Sequence, residues 1–303
     1  MRHNVYLHHK HPSWGARLAS AYCWLRGMKS DLDKAIHLQQ FRESPAPPPQ
    51  RLFRHFSFSE ETLMGRSVWT IAPKTGIASK TVLFLHGGAY VNNLTKYHWD
   101  FLAEMAERTR VRWIVPDYPL APAATYREVY AFITALYGQL LERTDAHHLL
   151  LMGDSAGGGL ALGFAQYLRE QGLAQPSQLI LLSPWLDLSV SHHEIMDLDK
   201  KDPLLSVAAL RWCGLAYAGE QDLRHYQLSP VYGDLTGLGR IAVFIGTHDL
   251  LLADCRYLHQ RMEEQGVDFR YYKYPKMVHD WMLITWLKEA KRALEQIAHL
   301  ING

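Results

Sequence analysis

The sequence predicts an α/β chain organised on a doubly wound, mostly parallel sheet. Three observations carry that reading. From residue 51 onward, short apolar runs of strand length alternate with longer helical stretches. The runs near 81–86, 148–153 and 178–183 are almost continuously apolar, as strands buried on both faces must be. Each candidate reactive loop follows directly after such a run, and in open parallel sheets ligands sit beyond the carboxyl ends of the strands.

Composition narrows the function classes. The chain has 303 residues, 48% of them apolar, which allows one large domain or a core with an appendage. A net charge of +2 without a run of five like charges argues against nucleic-acid binding. Cys23, Cys213 and Cys255 are odd in number and scattered, which fits a reducing compartment better than a disulfide framework. No apolar run approaches the ~18 residues of a membrane span, and no signal-peptide pattern opens the chain. The expectation is a cytoplasmic protein without a transmembrane span.

Taken in order, residues 1–50 read as two helices, 13–27 and 31–43, with Trp14, Leu18, Ala21, Tyr22 and Leu25 at helical spacing. The first thirty residues carry Arg2, Lys10, Arg17, Arg26 and Lys29 and no acid. A membrane-touching patch and a helical cap over a site are the two readings; the cap is favoured because the bases do not gather on one helical face. His3, His8, His9 and His11 lack partner ligands at metal spacing and are read as surface residues. Ser44-Pro-Ala-Pro-Pro-Pro-Gln50 is a stiff linker. Residues 51–58 and 66–72 read as an antiparallel strand pair split by 60–65. Then come strand 81–86, helix 96–108, strand 111–116, helix 124–143, strand 148–153, a helix after Ser155, and strand 178–183. Residues 184–232 break the alternation and read as a cap insertion with a helix at 206–217; its His192, His193 and nearby acids are read as a polar loop. Strand 240–246, helix 250–265, strand 267–274 and helix 280–300 complete the core. The resulting domains are 1–50 (cap helices and linker), 51–183 with 233–303 (core), and 184–232 (insertion).

The stretch Leu149-Leu-Leu-Met-Gly-Asp-Ser-Ala-Gly-Gly-Gly159 reads as strand, sharp turn, helix. Small residues around Ser155 let strand and helix nearly touch, and the strained turn lifts the hydroxyl above the sheet. Behind it, the amide of Ala156 opens a helix whose positive end favours a developing oxyanion. A glycine-rich phosphate loop is the alternative, but no Gly-Lys-Ser/Thr follows. A serine needs a base and an orienting acid. Of seven histidines after Ser155, His279 alone stands between the last strand and the last helix. Asp249 follows the preceding strand, 30 residues earlier, the length of one helix, one strand and two loops. Asp254 would have to reach back from a helix, Asp280 would project away from the imidazole, and His248 sits in the wrong loop. His86-Gly-Gly-Ala-Tyr90 follows strand 81–86, so the amides of Gly87, Gly88 and Ala89 are candidates for a second cradle.

Together with Asp117-Tyr-Pro-Leu-Ala-Pro122 and Ser183-Pro-Trp-Leu-Asp-Leu188, these motifs resemble the hormone-sensitive-lipase-like (bacterial family IV) esterases of the α/β-hydrolase superfamily, over about residues 75–300. The resemblance implies Ser155 as nucleophile, His279 as base, Asp249 as orienter, and the amides of Gly88, Ala89 and Ala156 as the oxyanion hole. It also implies a cap built from residues 1–50 and 184–232, and a homodimer through the edge of the last strand. Position 89 departs from the family's third glycine; its N–H survives, with a cost of order 1 kcal/mol if φ is positive. Asp117, Asp154 and Asp187 are read as anchors of loops. Aromatic residues of the cap segments, Trp14, Tyr22, Trp24, Trp185, Trp212 and Tyr217, are expected around an apolar pocket. The predicted activity is hydrolysis of small or medium apolar esters through an acyl-enzyme, without metal or organic cofactor. A non-catalytic binding protein on the same fold, or an acyltransferase or amidase with the same triad, are the alternatives.

Overall fold

The computed structural model describes residues 4–76 and 80–303; Arg2 and His3 lie outside them. In chain order come β1 (Asn4–Leu7), α1 (Trp14–Arg26), α2 (Lys29–Leu38), α3 (Gln50–His55), β2 (Phe56–Leu63), β3 (Arg66–Pro73), β4 (Thr81–Leu85), α4 (Lys96–Thr109), β5 (Arg112–Pro116), α5 (Tyr126–Leu141), β6 (Leu149–Asp154), α6 (Ala156–Glu170) and β7 (Gln178–Leu182). They are followed by α7 (Ile195–Asp199), α8 (Val207–Ala218), β8 (Arg240–His248), α9 (Leu252–Glu264), β9 (Phe269–Val278) and α10 (Lys288–Asn302). Nine strands form one sheet in the order β1-β9-β8-β7-β6-β4-β5-β3-β2, antiparallel only where β3 meets β2 and β5.

The continuous apolar runs have the cause expected of them. Side chains alternate across a strand, so Leu83, Leu149, Leu151, Leu179, Leu181 and Val243 feed one buried cluster. Their neighbours Val82, Phe84, Leu150, Met152, Ile180, Leu182 and Phe244 feed the other. Each fully buried side chain of this kind contributes roughly 1.5–3 kcal/mol, so the sheet is anchored from both faces.

Several sequence expectations need correction. Residues 4–7 are not part of a cap: they extend the sheet parallel to β9, pairing Asn4 to Leu7 with Arg270 to Lys273. The edge of the last strand, expected to be free for a second copy, is therefore covered along those residues. Residues 50–55 form a helix rather than the start of a strand, and the hairpin turn is only Met64-Gly65, not 60–65. The last helix begins at Lys288, after a short 3-10 turn at Trp281–Leu283.

α1 is well terminated. Ser13 accepts from the Ala16 amide (3.2 Å), Glu289 accepts from the Ser13 amide (2.6 Å), and Gly27 takes the left-handed conformation (φ +65°) that closes the C-terminus. The N-terminal helices and the insertion meet over the carboxyl edge of the sheet: Ser206 Oγ donates to Asp33 (2.9 Å), Lys29 pairs with Asp199 (3.0 Å), and Phe41 stacks on Trp212 (5.4 Å). Among the described residues no helix is long and apolar enough to cross a membrane.

Candidate active site

Ser155 lies between the end of β6 and the start of α6 at φ +51°, ψ −120°, a conformation a non-glycine residue adopts only when its surroundings impose it. The imposition is visible. The Ser155 amide donates to the Leu182 carbonyl (2.8 Å), and the Trp185 amide donates to the Ser155 carbonyl (2.9 Å). A Cβ at Gly153 would overlap the Gly157 backbone, and one at Gly157 the Leu85 carbonyl, so strand and helix do approach as closely as the glycines predict.

β8 ends at His248 and places Asp249 next; β9 ends at Val278 and places His279 next. His279 Nδ1 is 3.0 Å from Asp249 Oδ2, and His279 Nε2 is 2.9 Å from Ser155 Oγ. With Nδ1–H donating to Asp249, Nε2 of the neutral ring accepts from the serine hydroxyl. Asp249 is fully buried, and its other oxygen accepts from the Leu251 amide (2.9 Å). Such an arrangement can take the proton from an attacking hydroxyl and hold the resulting imidazolium.

The loop after β4 runs against the same turn. Gly88 (φ +125°), Ala89 (φ +54°) and Tyr90 (φ +63°) are all left-handed, so Ala89 does occupy the costly backbone region. Tyr90 helps fix it: its hydroxyl donates to the Ala156 carbonyl (2.9 Å) and its ring stacks on Tyr217 at 3.7 Å. Among the described residues the amides of Gly88, Ala89 and Ala156 have no backbone or side-chain acceptor, and Gly88 and Ala89 line the same cavity as Ser155. Gly87 is different. Its amide donates to Asp154 Oδ1 (3.0 Å), so the expectation that it joins the cradle is corrected.

Asp154 has a larger part than the motif revealed. Its second oxygen lies 3.0 Å from His98 Nε2, while the Thr95 amide donates to His98 Nδ1 (2.9 Å), fixing the tautomer with Nε2–H donating to the carboxylate. Burial opposes the Asp154 charge, but the His98 imidazole beside it and the Gly87 amide hold its carboxyl below the ordinary value. The glycine loop, the serine turn and α4 are thereby tied to one carboxylate.

Two further carboxylates were misread or missed. Asp280 does not project away from His279; its Oδ2 lies 3.1 Å from Nε2, because φ +50° at Asp280 turns the chain back after β9. Asp202, read as part of a polar loop, is fully buried and accepts from the amides of Leu204 (2.7 Å), Leu205 (3.0 Å) and Leu250 (2.7 Å), the last adjacent to Asp249. Burial and the nearby Asp249 push its carboxyl up to about 6. By contrast, His248 and Asp254 make no hydrogen bond to Ser155, His279 or Asp249, and His192 and His193 lie tilted against each other in the insertion. Asp117 and Asp187 hold loops, through Arg66 (2.6 Å) and Tyr232 (3.0 Å). Among the described residues no three His, Cys, Asp or Glu side chains are placed to hold a metal ion.

A cavity of about 600 Å³ opens over Ser155. Its walls are mainly aliphatic, with Leu32, Leu204, Leu205, Leu210 and Leu283 from three separate parts of the chain. The aromatic expectation fails for most residues: Trp185 and Tyr217 are buried in the core, Trp212 stacks on Phe41 outside the lining, and Trp14 and Trp24 are exposed, which leaves Tyr22 with Tyr97 and Trp286 at the mouth.

A serine hydroxyl, an imidazole and a buried carboxylate in hydrogen-bonded series at the carboxyl edge of a doubly wound sheet define a serine hydrolase. The chain belongs to the alpha/beta hydrolase fold family, whose profile matches residues 82–283. It is 32% identical over 230 residues to an esterase of Acinetobacter venetianus, covering 75% of this chain and 76% of that one. An acetyl-hydrolase of Streptomyces hygroscopicus is 31% identical over 221 residues, 71% of this chain and 73% of its own. The crystal structure of an esterase from the bacterial hormone-sensitive lipase family superposes with a TM-score of 0.77 at 27% identity, covering 85% of this chain and 86% of that one. The chain is accordingly a hormone-sensitive-lipase-like carboxylic ester hydrolase.

Proposed function

We propose that ester cleavage runs through an acyl-enzyme on Ser155, with His279 as base and acid, Asp249 as its orienting carboxylate, and the amides of Gly88, Ala89 and Ala156 as the oxyanion cradle. The observation that carries this reading is the unbroken series from Ser155 Oγ through His279 to Asp249, at 2.9 and 3.0 Å. Ser155 Oγ attacks the carbonyl carbon as its proton passes to His279 Nε2. The tetrahedral oxyanion collapses, the C–O bond to the alcohol breaks, and the leaving oxygen takes the proton from His279. Water then attacks the acyl group, giving its proton to His279, and Ser155 leaves with that proton as the acid is released.

The aliphatic walls of the cavity of about 600 Å³ support small to medium apolar acyl groups as substrates. Residues 8–50 and 184–232 together form the cap that shapes this space. Three unpaired, buried thiols support a cytoplasmic location. Should two copies pair along the sheet, the edge they would use on that side is β1.

Labelling with a fluorophosphonate probe and turnover of nitrophenyl esters of increasing chain length test the reading. Wild type labels at Ser155 and prefers the shorter acyl groups, while Ser155→Ala and His279→Ala each lose ~10⁴-fold or more in kcat. Turnover that survives in Ser155→Ala would remove this serine from the mechanism.

A further inference from the structure

α1 carries two apolar surfaces where a cap helix needs one. Ala16 and Cys23 face inward and are buried. On the opposite side Trp14, Leu18, Tyr22 and Leu25 are 79%, 66%, 58% and 88% exposed. At 100° per residue these four fall within about 80° of one another, so they form a single outward stripe. Arg17 lies about 60° to one side of that stripe and Arg26 about 40° beyond its other edge, both exposed. The Arg17 guanidinium sits 5.5 Å over the Trp14 ring, so its stem follows the apolar surface while its charge stays outside. The stripe is continuous with the site: Leu18 and Tyr22 line the cavity over Ser155, and Tyr97 and Trp286, 53% and 61% exposed, stand at the same mouth.

We propose that this stripe seats the protein on an anionic lipid surface, with the mouth of the cavity turned toward esters held in that surface. The inference rests on the ester-hydrolase reading and names how its substrate is presented. Charge selects the occupant. Residues 1–30 contain Arg2, Lys10, Arg17, Arg26 and Lys29 and no acid, and Asp199 of the insertion, which reaches this segment, is paired with Lys29. Apolar side chains flanked by arginines, with Trp and Tyr among them, match the boundary between acyl chains and acidic headgroups. A second copy of the chain fits less well, since an isologous contact would lay the arginine-flanked stripe of one copy on the equally acid-free stripe of the other.

Co-sedimentation of the full chain with vesicles of phosphatidylcholine alone, or mixed with phosphatidylglycerol, tests the proposal, with turnover of a short soluble nitrophenyl ester measured in parallel. The double variants W14S/L25S and R17Q/R26Q replace no residue of the cavity lining. Wild type is expected to bind the mixed vesicles, more weakly at high salt, and each double variant to bind at least roughly tenfold more weakly. Both variants should keep wild-type turnover of the soluble ester. Absence of binding to mixed vesicles by a wild type that still hydrolyses the soluble ester overturns the proposal. So does equal binding to phosphatidylcholine alone, or self-association that W14S/L25S abolishes without any vesicle binding. Vesicle binding without soluble-ester turnover would instead leave the surface standing and sink the ester-hydrolase reading.

Discussion

His279 lies between two carboxylates, Asp249 at Nδ1 and Asp280 at Nε2, and the second competes with Ser155 for the same nitrogen. Burial works against charge on the ring, but Asp280 and Asp249 outweigh it and hold the imidazole well above its ordinary value of 6.5. Asp202, which also interacts with His279, adds the same sign. While the ring is charged, Nε2–H donates to Asp280 and cannot accept from the hydroxyl. The rate of ester hydrolysis is therefore expected to rise with pH along a limb displaced upward from 6.5. Asp280→Asn should move that limb down by about one pH unit, as removal of one adjacent charge does. A kcat/KM profile measured from pH 5 to 9 decides it; an unmoved limb would mean that Asp280 carries no charge the imidazole feels. Sequence reasoning sends Asp280 away from the ring because neighbours at the end of an extended strand alternate sides. The left-handed turn at that residue, invisible in the side-chain pattern, brings it back. Ser155, Asp249 and His279 were legible for the opposite reason, since each follows directly after a recognisable strand and strand ends converge.

At the level of elements, the insertion reaches the catalytic edge through Asp202, whose carboxylate gathers the first turn after Asp202 and the Leu250 amide of the β8–α9 loop. Asp202→Ala removes the acceptor of three amides, and the buried Leu250 amide alone costs about 1–3 kcal/mol if it stays dry. Because Leu250 adjoins Asp249, kcat is expected to fall about 10- to 100-fold through a misplaced His279, with KM changed much less. Kinetics of the variant with soluble esters, beside its urea midpoint, separate the two effects; a destabilised variant with wild-type kcat would show that the loop holds Asp249 unaided. Nothing in the sequence marks Asp202 among its acidic neighbours, since its role depends on a contact 48 residues away. The same holds for β1: four residues become a strand only because β9 offers an unpaired edge. At α3, Arg51-Leu-Phe-Arg-His55 lacks enough length to show a helical period, so its aromatic and apolar content passes for a strand. The parallel core was legible because both faces of its strands are buried, which leaves an unmistakable run of apolar residues.

For the molecule as a whole, the pH that favours turnover works against stability. Burial, with Asp187 and Asp249 adding to it, pushes the Asp254 carboxyl well above its ordinary value, and Asp280 is lifted to about 7 by burial, with His279 partly offsetting it. His279 is raised as well. Each of these groups binds its proton more tightly folded than unfolded. Its stabilising contribution is complete below the unfolded pKa and is lost as pH rises through the folded one. The opposite case, typified by His86 held at about 3 chiefly by burial, acts only on the acid side, where stability falls as pH drops below 6.5. Above pH 7 Asp280 has largely released its proton, so from pH 7 to 9 Asp254 and His279 act alone among these, and each proton retained only by the folded state removes roughly 1.4 kcal/mol per pH unit. The urea midpoint is therefore expected to fall across the window in which turnover climbs. Asp254 lies outside the cavity lining and has one carboxyl oxygen without a partner. Asp254→Asn keeps its shape while removing its titration, so the midpoint should decline less steeply with pH while the activity profile stays in place. An equally steep decline in that variant would move the effect from Asp254 to the carboxylates around His279.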